Sequence, residues 1–175
     1  MKLKLLATTF IVVALLSSCL SGGSDNRTPA IQVARPVLTT GDTLNFWYTD
    51  EADVWLMDTI SVGDTVQFYT VSNSFFNNIT AFYIKPANDT VAEIILPPIE
   101  KLDSICSQFS DYEKGIFLFE GEGSILYFPF KYVALKPSKD MKLGLTVVSD
   151  AKFNNTMIVG GASNSASVLI KTPIK

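Results

Sequence analysis

Histidine is absent from the 175-residue chain. The usual general base near neutral pH and the commonest transition-metal ligand are therefore both missing, and any catalysis would have to rest on carboxylates, a lysine or a tyrosine. Cysteine occurs only at Cys19 and Cys106, too few for a disulfide framework. Positive charge is scarce as well: 14 lysines and arginines face 17 acids, a net charge of −3. Phosphate backbones require a basic stripe, so no nucleic-acid partner is expected. No Gly-x-Ser-x-Gly nucleophile motif occurs, and nothing in the sequence calls for a cofactor. Long apolar runs are missing too. The opening one is about a dozen residues, short of the roughly 20 that a membrane-spanning helix needs.

What is present begins with Lys2 and Lys4, continues through the apolar run Leu5 to Leu16, and closes on Leu16-Ser17-Ser18-Cys19. A basic start, a short apolar run and small residues before the cleavage point make a secretory leader. The pattern, with its cysteine, resembles the leaders of bacterial lipoprotein precursors, in which the thiol receives a diacylglyceryl group and type II signal peptidase cuts just before it. That resemblance implies a cleaved signal peptide over 1–18, lipid on Cys19 as the mature N-terminus, and a place in the cell envelope, at the outer membrane. Two or three acyl chains, at about 0.8 kcal/mol per buried methylene, make a permanent anchor. Without Lys2 and Lys4, 12 cations face the 17 acids and the net charge becomes −5. Cys106 is then left without an intramolecular partner. Residues 19–28, rich in glycine and serine, read as a flexible tether. Surface-displayed lipoproteins of the Bacteroidetes carry an acidic run directly after the cysteine; here the acid nearby is Asp25, which leaves the periplasmic and surface faces both open.

Residues 29–175 read as a single all-β domain, an antiparallel β-sandwich of nine or ten strands with one short helix near 98–109. Short apolar and β-branched segments alternate with turn residues throughout. Met141, Leu143, Leu145 and Val147 alternate with Lys142, Gly144 and Thr146, the period of a half-buried strand. Gly41-Asp42-Thr43-Leu44-Asn45-Phe46-Trp47 is echoed 22 residues later by Gly63-Asp64-Thr65-Val66-Gln67-Phe68-Tyr69, two strands begun by the same turn chemistry. The second copy resembles the opening of the second strand in bacterial immunoglobulin-like domains, which implies an immunoglobulin-like or related sandwich, although no cysteine pair brackets a tryptophan. Pro129 implies an edge or a bulge in its strand. Ile99, Leu102, Ile105, Cys106 and Phe109 are spaced as the apolar stripe of a helix that starts at Pro98 and ends before Gly115. On that stripe Cys106 reads as a small buried hydrophobe rather than a reactive thiol.

Several groups are candidates for function. Asp50, Glu51 and Asp53 form a tight acidic turn able in principle to hold calcium, without EF-hand spacing. Glu120 and Glu122 flank a glycine and are the pair to consider for glycan hydrolysis. Trp47 and Trp55 could share an outer face as a platform for a sugar or a protein partner, against the alternative that both lie in the core. Thr43, Thr59, Thr65, Thr90 and Ser104 each follow aspartate and precede an aliphatic residue, a pattern that resembles the O-glycosylation acceptor motif of Bacteroidetes envelope proteins. The expected role is a non-enzymatic, lipid-anchored binding or scaffold module for a glycan or an envelope protein. A small carboxylate-dependent glycan hydrolase is the alternative.

Overall fold

The computed structural model describes residues 26–49, 54–153 and 163–175. The expected leader, Cys19, the Asp50-Glu51-Asp53 turn and a strand expected near Thr156 to Val159 lie outside the described residues. Among the described residues eleven strands form two facing sheets and one short helix accompanies them: β1 (Ala30–Val33), β2 (Val37–Leu38), β3 (Phe46–Tyr48), β4 (Val54–Met57), β5 (Thr65–Asn73), β6 (Ile79–Pro86), β7 (Ala92–Ile95), α1 (Ile99–Asp103), β8 (Ile116–Leu118), β9 (Ile125–Ala134), β10 (Lys142–Ser149) and β11 (Ser165–Lys171). Sheet I has the order β1-β5-β9-β7, with β2 also on β5; sheet II has the order β3-β4-β11-β10-β6-β8. The fold is thus the expected all-β sandwich. Its pairings are antiparallel except for β4 with β11, which run parallel. β1 and β2 had no counterpart in the expected strand set, because Arg35-Pro36 splits a short edge segment into pieces too brief to show a period.

Alternation builds the core. Every second residue of β10 (Leu143, Leu145, Val147) is buried, and Phe68, Phe130, Tyr132, Phe128, Phe82 and Phe117 fill the space between the sheets with almost no exposure. Phe68 stacks on Phe130 at 5.1 Å, and Phe128 sits 5.1 Å from Phe82 and 4.6 Å from Phe117, so rings from both sheets interlock. Such pairs add roughly 0.5–1.5 kcal/mol beyond the area they bury. Tyr132 brings a hydroxyl into this core and satisfies it on Thr172 Oγ1 at 2.9 Å. Burial pushes its phenol pKa up, an effect that the Thr172 hydrogen bond opposes.

The helix is shorter than expected, and its apolar stripe is not a buried face. Leu102 is buried and Cys106 half-buried, while Ile99, Ile105 and Phe109 are exposed. The cause is local competition for carbonyls. Ser104 Oγ donates to Lys101 O at 2.7 Å, Ile105 and Cys106 both donate to Leu102 O, and Ser107 N is captured by Leu118 O of β8 at 2.7 Å. Serines that bond nearby backbone end helices in this way. Gly115 then turns with φ of 67°, and a Cβ there would lie 1.9 Å from Ile84 O, so only glycine lets this loop lie against β6.

Pro129 finds its edge inside sheet I. Tyr69 O accepts from Ala34 N at 3.0 Å, so Tyr69 turns its backbone groups toward the β1 side and meets Pro129 as a non-hydrogen-bonded pair. The proline nitrogen therefore points to the side where β7, whose pairing with β9 starts at Lys131, has already ended.

Candidate functional site

Adjacent aromatics in a strand must send one ring to each face. Phe68-Tyr69 in β5 and Tyr127-Phe128 in β9 do so: Phe68 and Phe128 enter the core, while Tyr69 and Tyr127 are left 54% and 70% exposed. The register pairs Tyr69 with Pro129, Val71 with Tyr127 and Asn73 with Ile125, so these side chains share the outer face of sheet I. Tyr69 and Tyr127 are diagonal neighbours on it, a separation of roughly 7–8 Å that aromatic side chains bridge. Ile125, 51% exposed, extends the patch along β9, and Gln32 and Lys131 lie on the same face by their pairing with Val71 and Gln67. Both tyrosines stand on interior strands locked by a nine-residue ladder, which holds the two rings in a fixed relation. Sequence reasoning passed over this face, although the two aromatic doublets were the available signal.

The tryptophans do not form a platform. Trp47 pairs with Leu56 and Tyr48 with Trp55, so successive positions place Trp47 on the outer face of sheet II and Trp55 on the inner. Trp55 also lies level with buried Ile170. It stacks on Phe46 at 4.8 Å and meets Tyr48 edge-on at 5.3 Å. Trp47 alone, 44% exposed, remains accessible.

The carboxylates are dispersed. Glu120 accepts a hydrogen bond from Ser107 Oγ, which ties the turn before β9 to the segment after α1. Glu122 lies exposed in that turn. A groove of about 870 Å3 between β6, β7 and the 112–116 loop is bordered by Tyr83, Asp89, Glu93, Tyr112 and Lys114. Lys114 is already bound to Asp111 at 2.6 Å, and that contact holds the Asp111 carboxyl below its usual range. Desolvation, helped by donation of its hydroxyl to Asp103 Oδ1 at 2.8 Å, pushes Tyr112 up. Burial likewise raises the Cys106 thiol, which keeps it protonated and weakly nucleophilic at neutral pH. Among the described residues no group of three or more acids or cysteines is placed to hold a metal ion.

Of the hydroxyls expected as glycan acceptors, Thr43, Thr59, Thr90 and Ser104 are exposed and Thr65 is half-buried in the β5 ladder. Thr90 Oγ1 donates to Asn88 Oδ1 at 2.8 Å, within the exposed turn that precedes β7.

No protein-family model matches the chain, and no curated protein matches it. Among solved structures, a DUF4466 family protein from Parabacteroides merdae ATCC 43184 superposes with a TM-score of 0.45 at 8% identity, over 86% of this chain and 46% of that one. The chain thus spans less than half the length of that protein. A superposition this loose assigns neither a family nor an activity.

Proposed function

We propose that this protein is a non-enzymatic binding module of the cell envelope, anchored by lipid on Cys19, and that its ligand is a glycan stacked on the Tyr69–Tyr127 face. The observation that carries the reading is the exposure of these two rings, side by side, on the interior strands of sheet I. Sugar rings present apolar C–H faces that stack on tyrosine, while phenol hydroxyls and the flanking Gln32 and Lys131 meet hydroxyl groups. An open sheet face suits a chain of rings better than a compact ligand. Hydrolysis has less support, since the Glu120 carboxylate considered for it is engaged by Ser107.

Two finer readings accompany this one. The sandwich is immunoglobulin-like in strand placement: with β5 as the second strand, sheet I follows the A-B-E-D order, and β6, β10 and β11 take the C-F-G positions. It departs from that pattern in that β7, at the D position, precedes β8 in the chain. Thr90, exposed in its turn, is the first of the hydroxyls to examine for O-glycosylation.

A glycan array probed with the purified lipoprotein, followed by calorimetry on the best ligand, tests the main reading. Binding should fall sharply in Tyr69→Ala and Tyr127→Ala. Undiminished binding in the double variant would refute the assigned face, and turnover abolished only by Glu120→Gln or Glu122→Gln would refute the non-enzymatic role. Lipidation is checked by intact mass: wild type should carry an adduct that Cys19→Ala lacks.

A further inference from the structure

The turn between β5 and β6 ends in two phenylalanines that the core does not use. Phe76 is 71% and Phe75 39% exposed. Phe75 has φ of 62°, a conformation that a bulky residue adopts only where its surroundings enforce it. They do: Phe75 N donates to Asn73 Oδ1 at 2.7 Å, Ser74 N to Ser124 O at 2.9 Å, and Asn77 N to Ser74 O at 3.1 Å. The turn is rigid, and it holds an apolar tip outward.

The described chain starts at this same tip. Asn77 Nδ2 donates to Asn26 Oδ1 at 3.0 Å, Lys152 N donates to the same oxygen at 3.0 Å, and Thr28 Oγ1 accepts from Ser163 N at 2.9 Å. The tether expected over 19–28 is therefore pinned to the sandwich from Asn26 onward. The Arg27 guanidinium lies over both rings, 5.6 Å from Phe75 and 5.7 Å from Phe76, a cation set against apolar rings. Cys19 precedes Asn26 by seven residues, and seven residues fully extended reach at most about 25 Å.

We infer that the Asn73–Asn77 tip, with Arg27, docks on the lipid bilayer that holds the Cys19 acyl chains. Phe76 and Phe75 enter the boundary between headgroups and acyl chains, where aromatic side chains are favoured, and Arg27 lies at the level of the lipid phosphates. Arg27 and Lys152 share this end with Glu122 and Asp150, so no strong net charge drives the contact and neutral lipid suffices. The strands of sheet I then rise away from the membrane, with Ile125 at its level beside Asn73 and the Tyr69–Tyr127 pair farther along the strands. The inference rests on the lipid-anchor part of the proposed function and is independent of the glycan.

The test uses the full chain, processed and lipidated, in phosphatidylcholine vesicles with or without bromine on the acyl chains. Phe76→Trp introduces a reporter at the tip; Val62→Trp introduces one at the far end, where Val62 N donates to Lys175 O. Emission added by Phe76→Trp above the native tryptophans should be blue-shifted and lost to brominated lipid, while that of Val62→Trp should persist. Equal persistence in two variants that carry the adduct and float with the vesicles overturns the docking and leaves the anchored module standing. Protection of the tip reporter from acrylamide in native envelopes but not in pure lipid assigns the tip to a protein partner and also overturns it. A chain without adduct that fails to float overturns both the anchor and the docking.

Discussion

The two outer faces of the sandwich are built by the same alternation and come out different. On sheet I, the outward positions of β5 and β9 carry the exposed pair Tyr69 and Tyr127 among Gln67, Val71, Ile125, Pro129 and Lys131. On sheet II, the outward positions of β10 and β11 carry Lys142, Gly144, Thr146, Val148, Ser167 and Leu169, with the Thr146 and Ser167 hydroxyls joined at 2.8 Å and the less exposed Tyr83 of β6 standing alone beside Thr146. Inner faces leave little choice, because each must fill the shared core. Outer faces are free to be polar, and two exposed rings side by side on interior strands are the feature on which the proposed binding rests.

The comparison is broken most severely from inside. Phe128→Ala, on the inner side of the strand that carries Tyr127, should cost roughly 3–5 kcal/mol and lower stability whichever outer face is monitored, as read by chemical denaturation. Next comes the contrast itself. Tyr69→Ala and Tyr127→Ala should each weaken ligand binding by about 1 kcal/mol, close to fivefold, while stability moves by less than about 1 kcal/mol. A large fall in melting temperature would mean that the rings hold the fold together rather than a ligand.

Alkaline pH probes the inner tyrosine. The folded pKa of Tyr132 is raised above its ordinary value near 10, so its contribution is fully present below that pH and is lost as pH climbs through the folded pKa. Unfolding should therefore set in above about pH 10, and more gently in Tyr132→Phe. Ser72, buried on the inner side of β5 with its hydroxyl unpartnered among the described atoms, is a smaller case. Ser72→Ala should be neutral or stabilising by up to about 1 kcal/mol. Smallest of all, Thr146→Val with Ser167→Val on the polar face should change stability by no more than about 0.5 kcal/mol and leave binding intact. An effect on binding would move the site to sheet II.

Much of the sandwich was legible without coordinates. The period of two in 141–147 specified a half-buried strand, and β10 buries the residues it named. Gly41 and Gly63 both adopt positive φ in their turns, as the repeated Gly-Asp-Thr phrase required. Both are local consequences of side-chain spacing and backbone sterics, which a sequence contains in full. Partners are another matter. The first phrase leads to β3 at the edge of sheet II and the second to β5 in the interior of sheet I, because distant strands decide which sheet has room. The helix at 99–103 stopped early because Ser104 turned its hydroxyl back on Lys101 O and Leu118 O of β8 claimed Ser107 N. Trp47 and Trp55 were separated by the register of β3 on β4, and Tyr69 and Tyr127 were joined by that of β5 on β9. Alternation told each strand which residues oppose each other across it. Only the tertiary pairing decided which of those faces met the core and which aromatics met one another.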